Sequence, residues 1–151
     1  MKAIVFAVLA GLCWGIGELC TKSVLHTHKI GPLTAIAVRS TIALPAIWAA
    51  AAVALAGTSV EPRDWWRTLS GSDYAKLVLG SGLTAGAAGM IFFYSALHLD
   101  DISRIKPIAF TVAPAVAAVL GFALLGEPMN GRKALAIALI LLGVVLLTGR
   151  R

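Results

Sequence analysis

Charged residues are scarce in this sequence. Only 13% of its 151 residues are charged and 59% are apolar, whereas a typical soluble domain carries about 25% charged residues. The mean hydropathy is +0.89. A soluble protein of this composition would expose large apolar patches to water and aggregate. The composition therefore excludes an ordinary soluble domain and predicts an integral membrane protein.

Acidic residues are the rarer of the two charged classes. There are 7 of them against 13 lysines and arginines, which gives a net charge of +6. The basic residues are scattered between apolar runs, while nucleic-acid binding needs a clustered basic footprint. The charge pattern therefore predicts contact with the lipid bilayer and its headgroups, and no nucleic-acid partner.

Cysteine is nearly absent, and so are the residue patterns of catalytic and metal sites. The two cysteines, Cys13 and Cys20, lie on one face of a predicted helix about 10 Å apart, too far for a disulfide. His26 and His28 have no third ligand nearby in the sequence, so they do not indicate a metal site. No nucleophile–base pair or phosphate-binding loop is recognisable. We therefore expect no enzymatic activity, no cofactor and no bound metal.

Five long apolar runs make up most of the chain. A helix of about 20 apolar residues spans the hydrocarbon core of a bilayer. The first run continues into Glu18 and Lys22 without a signal-peptide cleavage site, so it is expected to be a mature helix. The sequence predicts one all-α membrane domain over residues 1–151 with five transmembrane helices, at residues 4–20, 33–55, 74–97, 105–125 and 134–147.

The basic residues are almost evenly divided between the two sides of the membrane. An excess of lysine and arginine on the cytoplasmic side normally sets the orientation of a membrane protein. Here the difference is six against seven, so the chain is predicted to insert both ways round. One side receives Lys2, Arg63, Arg67, Lys76, Arg132 and Lys133, and the other receives Lys22, Lys29, Arg39, Arg104, Lys106, Arg150 and Arg151.

Two features of the apolar runs concern helix packing. Gly82 and Gly86 form a GxxxG pattern in the third run, and small residues at this spacing let helix backbones approach closely in lipid. Pro114 lies deep in the fourth run. It is predicted to bend that helix and to free a carbonyl near the middle of the membrane.

Glu18 is the first candidate for a transport residue. It lies well inside the first run, and charges inside a span usually face a cavity or a partner because their burial in lipid is costly. A carboxyl in that setting can exchange a proton for a cationic substrate. The alternative is an ion pair with Lys22, one helical turn later. Lys22 either extends to the headgroups or contributes to a binding site. Arg39, which lies near the start of the second run, either extends to the headgroups or binds an anionic headgroup or substrate.

Three further residues have both a functional and a structural interpretation. Lys106 either belongs to a solvated charged cluster at the start of the fourth helix or lies at the mouth of a cavity. Trp14 and Tyr94 either stack on a substrate or cation or serve as ordinary interfacial and packing aromatics.

A series of short motifs in a fixed order connects these residues to a known family. Trp14-Gly15 followed by Lys22 is similar to a WG-x6-K pattern, and residues 35–39 resemble an A-x-x-x-R pattern. Residues 94–97 read Y-S-A-L, residues 124–127 read L-L-G-E, and residues 138–147 match A-x-I-L-x-G-V-x-L-L. Over essentially its whole length the chain resembles EamA-type members of the drug/metabolite transporter superfamily. Glu18 and Lys106 depart from the family pattern.

The resemblance implies a fold and a function. Most members contain two five-helix units in inverted orientation, and this chain resembles one unit, half of a ten-helix inverted-repeat fold. It therefore implies a homodimer, antiparallel if the balanced charges are taken literally, that moves a substrate through a central cavity. The implied function is secondary transport of a small metabolite or amphipathic compound across the cytoplasmic membrane, with proton coupling as an option. A lipid-carrier flippase for an anionic headgroup and a non-transporting membrane scaffold stay open as alternatives.

Overall fold

A computed structural model describes residues 2–57 and 61–148, and every regular element in these two ranges is a helix. The charges predicted on Arg150 and Arg151 lie outside the described residues. In chain order the elements are α1 (Lys2–Leu25), α2 (Pro32–Gly57), α3 (Trp65–Thr68), α4 (Gly71–Ala75), a π-helical segment (Lys76–Gly89), α5 (Met90–Leu99), α6 (Ile102–Leu125) and α7 (Gly131–Thr148).

Five of the described helices are long and apolar enough to cross a membrane. They are α1, α2, the continuous helix Gly71–Leu99, α6 and α7, which confirms the predicted number and order of spans. Most of their large apolar side chains are exposed on the surface of the chain, Phe6, Phe92 and Leu146 among them. In water such a surface would be unstable, but in a bilayer it faces lipid.

Several helices begin or end beyond the apolar runs because polar groups satisfy their terminal backbone atoms. The third span begins at Gly71, not at Tyr74, since the Ser70 side chain and the Asp73 carboxylate each accept a hydrogen bond from the other residue's backbone N–H, at 3.3 and 3.1 Å. This capping box satisfies two otherwise unpaired donors. Likewise α7 begins at Gly131 because the Asn130 side-chain oxygen accepts from the Lys133 N–H at 2.8 Å. Apolarity alone therefore underestimates the helix lengths.

The third span contains a long π-helical segment. In a π-helix each backbone hydrogen bond joins residues five apart in the chain, whereas in an α-helix it joins residues four apart. The Thr84 hydroxyl also donates to the carbonyl of Leu79, five residues earlier, at 2.7 Å. Gly82 and Gly86 lie in this segment and line a groove of about 600 Å³ beside α2, together with Ile36 and Ser40. The groove is open, so the role of the two glycines in helix packing stays a prediction.

The chain divides into two compact units, Met1–His98 and Leu99–Arg151. In the first unit α1 contacts α2, and in the second α6 packs against α7. Helix α6 continues through Pro114 without interruption, and the predicted bend there stays a prediction. The predicted single domain over 1–151 also stays a prediction, and each unit is described separately.

Candidate functional site

Two charged residues of α1 are buried in the protein. Glu18 is 3% exposed and Lys22 is 7% exposed. They are four residues apart, so they share one face of the helix. Burial of a charged side chain costs free energy unless the charge is paired or hydrogen-bonded. The structure therefore brings together the first two predicted site residues.

Lys22 points inward and binds the end of the third span. Its ammonium group donates a hydrogen bond of 2.6 Å to the backbone carbonyl of Leu97. Leu97 is fully buried and lies two residues before the end of α5. The last four carbonyls of a helix have no partner within the helix and carry partial negative charge, which makes them good acceptors for a cation. The predicted extension of Lys22 to the headgroups is therefore wrong, since the side chain lies inside the protein as a tether between α1 and α5.

Arg39 and Tyr94 form a second connection between spans. The Arg39 guanidinium nitrogen Nη1 donates to the Tyr94 hydroxyl oxygen at 2.8 Å, and its central carbon lies 5.7 Å from the centroid of the tyrosine ring. The tyrosine is fully buried. The cation stacked on Tyr94 in this structure is therefore Arg39, and the pair joins α2 to α5.

The two connections meet on α5. Tyr94 and Leu97 are three residues apart and lie on the same face of that helix. The groups that hold Arg39 and Lys22 are thus neighbours. Glu18 lies one helical turn from Lys22. We call the side chains of Glu18, Lys22, Arg39 and Tyr94 the polar cluster. It combines one carboxyl group with two cations inside three membrane-spanning helices.

Trp14 lies at the edge of this arrangement. It is four residues before Glu18 and therefore on the same face of α1, but its side chain is 48% exposed. The indole thus lies between the exposed surface of the helix and the buried carboxyl. The stacking role of Trp14 stays a prediction.

Lys106 belongs to the second unit. Its ammonium nitrogen lies 5.2 Å from the centroid of the Phe110 ring, one turn later on α6, a cation–π contact. Its neighbour Arg104 pairs with the half-buried carboxylate of Asp100 at 2.9 Å and donates to the carbonyl of Leu147 at 3.2 Å. A charged cluster is present at the start of α6 around Arg104 and Asp100, but the Lys106 ammonium is buried, so the predicted place of Lys106 in a solvated cluster is wrong. The proposed place of Lys106 at a cavity mouth stays a prediction.

Two parts of the site have no signature in the sequence. The first is the Leu97 carbonyl, since a backbone acceptor carries no residue-type signal. The second is a groove of about 260 Å³ between α1 and α2, called here the α1–α2 groove, in which Arg39 is the only charged lining residue. The other lining residues are Cys20, Thr21, Val24, Ile30, Ala35 and Val38.

Comparison with known proteins identifies the family. The model of the EamA-like transporter family matches residues 1–149, which include all five spans and the whole polar cluster. No curated protein and no solved structure matches the chain. The family match confirms the resemblance seen in the motifs, and five helices of this kind correspond to half of a ten-helix inverted-repeat transporter fold. The chain therefore belongs to the EamA-like transporter family.

Proposed function

We propose that this protein is a secondary transporter of a small metabolite or amphipathic compound in the cytoplasmic membrane, with Glu18 as its proton-carrying group. The observation that carries the proposal is a carboxyl group, 3% exposed, in a membrane-spanning helix of a transporter family. Ionisable residues inside spans are expensive, about 2.5–3.5 kcal/mol by insertion scales. An ionisable residue inside a membrane-spanning helix is therefore expected to have a function.

The charges around Glu18 favour one class of substrate. When Glu18 is ionised, the polar cluster has a net charge of +1 from Lys22, Arg39 and the carboxylate; when Glu18 is protonated, the net charge is +2. Coulomb forces are strong where water is excluded, so each proton taken up increases the attraction for an anionic group. This arithmetic supports coupled movement of a proton with an anionic or zwitterionic substrate better than exchange of a proton for a cation.

The assembly we propose is a homodimer. A ten-helix inverted-repeat transporter has two five-helix halves around one central site, and a second copy of this chain would supply the second half. The near-equal numbers of basic residues on the two sides support an antiparallel arrangement. Each copy would then contribute one polar cluster to the pathway.

The function can be tested by uptake into proteoliposomes with an inward proton gradient. A panel of anionic, zwitterionic and cationic metabolites is screened with wild-type protein, and any transported compound is tested again with Glu18→Gln. We expect proton-driven uptake to fall at least about tenfold, about 1.4 kcal/mol, because the amide carries no proton. Glu61→Gln is the matched control: the same change at an exposed position outside the spans. It should leave uptake unchanged.

The proposal fails if the panel includes a transported compound and the Glu18→Gln, Arg39→Ala and Lys106→Ala variants all move it as fast as wild type. A substrate that is moved equally well with and without a proton gradient would contradict the proton coupling alone.

A further inference from the structure

The α1–α2 groove is open on the surface of the chain. Both of its walls are membrane-spanning helices, and the valines that line it, Val24 and Val38, are exposed on the surface of the chain. Such a surface faces acyl chains in a bilayer, not water. With a volume of about 260 Å³, the groove has room for a segment of an acyl chain but not for a helix, which has a diameter of about 10 Å.

The wall of this apolar groove carries a positive charge. Arg39 is its only charged lining residue, and the bond from Nη1 to Tyr94 holds the guanidinium in place. An arginine has five N–H donors, of which this bond uses one. Among the described residues of the first unit, no carboxylate forms an ion pair with Arg39. A charge that lines an apolar groove between membrane-spanning helices is stabilised by an opposite charge, which favours an anionic occupant.

The depth of Arg39 suits a lipid phosphate. It is seven residues after Pro32, the first residue of α2, which is about 10 Å along the helix axis. Arginine side chains extend toward the headgroups from such depths, and the planar guanidinium binds phosphate through two parallel hydrogen bonds. The groove also reaches Ile30, in the connection that begins α2. Lys29 precedes it and adds positive charge where the headgroups lie.

We propose that the α1–α2 groove is a binding site for an anionic phospholipid, with the phosphate on Arg39 and an acyl chain between α1 and α2. The occupant is a bound lipid of the membrane, and its phosphate would reduce the net charge of the polar cluster by one in either protonation state of Glu18. The inference does not rest on the transport proposed above. The positive groups at this end of the groove favour phosphatidylglycerol, which has a net negative charge, over phosphatidylcholine, which has none.

The two native cysteines report on the site. Both are exposed on α1, but Cys20 lines the groove and Cys13 lies seven residues earlier. The full-length Cys13→Ala and Cys20→Ala variants, purified in detergent, are alkylated with N-ethylmaleimide and followed by intact mass. Phosphatidylglycerol is expected to slow alkylation of Cys20 about tenfold when about nine-tenths of the sites are occupied. Phosphatidylcholine with the same chains should not slow it, and Cys13 should react equally fast with either lipid.

A second pair of variants tests the role of the arginine. Arg39→Gln should abolish the protection of Cys20 by phosphatidylglycerol. Arg67→Gln, which removes the same charge from an exposed position on α3, should leave the protection intact. Equal protection by the two lipids, or protection by neither, overturns the proposal. The comparison of phosphatidylglycerol with phosphatidylcholine uses protein that keeps Arg39, so it tests the proposal even if Arg39→Gln does not fold.

Discussion

At the scale of single residues, the polar cluster shows how a membrane protein stabilises its buried charges. Lys22 is satisfied by a backbone carbonyl and Arg39 by a tyrosine hydroxyl and ring. Each interaction crosses from one span to another, and in lipid no water can replace a lost partner. The two cations therefore connect helices as well as giving the cluster its charge.

Replacement of Lys22 tests the structural half of this interpretation. Lys22→Met keeps most of the apolar length of the side chain but leaves the buried Leu97 carbonyl without this donor. We expect the protein to lose about 1–3 kcal/mol of unfolding free energy, measured by denaturant unfolding in detergent. Lys29→Met is the control, since Lys29 lies exposed in the connection before α2, and it should change stability by less than about 0.5 kcal/mol. Equal stability of the two variants would show that the 2.6 Å bond contributes nothing.

At the scale of secondary structure, the third span differs from the other four in its π-helical segment. At Gly82, Gly86 and Gly89, its wider turns bring the carbonyl oxygen five residues back to within 3.3–3.5 Å of where a Cβ would lie. A Cβ at Gly82 would lie 3.3 Å from the Leu77 oxygen, whereas one at Gly80 would meet nothing within 4 Å. The segment thus contains one glycine that needs to be small and a neighbour that does not.

This difference predicts opposite effects of the same substitution. Gly80→Ala should stabilise the protein by up to about 1 kcal/mol, because alanine favours helix over glycine. Gly82→Ala should gain less or destabilise the protein, since the methyl group presses on a backbone oxygen that cannot move away cheaply. Thermal unfolding of the two variants side by side measures the difference. If both gain the same stability, the carbonyl of Leu77 does not restrict position 82.

At the scale of the whole molecule, the distribution of basic residues bears on orientation in the membrane. The family fold needs two inverted halves, and the balanced basic residues predict that copies of one chain insert both ways. This would allow a single sequence to supply both halves of an antiparallel dimer.

Paired cytoplasmic and external reporters fused after Arg151 test the orientation. Both reporters should be active in the wild type. The double variant Arg132→Gln, Lys133→Gln leaves four basic residues on one side against seven on the other. It should therefore favour the orientation that places the richer side in the cytoplasm. The reciprocal control replaces Arg39 and Lys29 by glutamine, which leaves five basic residues on the second side against six on the first. It should increase the fraction of chains in the opposite orientation. Activity of only one reporter in the wild type would contradict the antiparallel homodimer.

The sequence by itself determined the membrane character, the five spans and the family, because each of these depends on composition and on motif order along the chain. It also identified Glu18, Lys22, Arg39 and Tyr94 as candidates, since charged and aromatic residues stand out in apolar runs. The helix ends were less predictable, as at Gly71 and Gly131, because capping depends on polar side chains just outside the runs.

Only the tertiary structure decided what these candidates contact. Lys22 reaches a carbonyl 75 positions away in the chain, and Arg39 a hydroxyl 55 positions away. Neither partner can be found from helical periodicity, which relates residues three or four apart. The α1–α2 groove likewise exists only where two helices meet. The hydropathy pattern along the chain indicates whether a residue prefers lipid or water. Its contact partner depends on how helices distant in the sequence pack together.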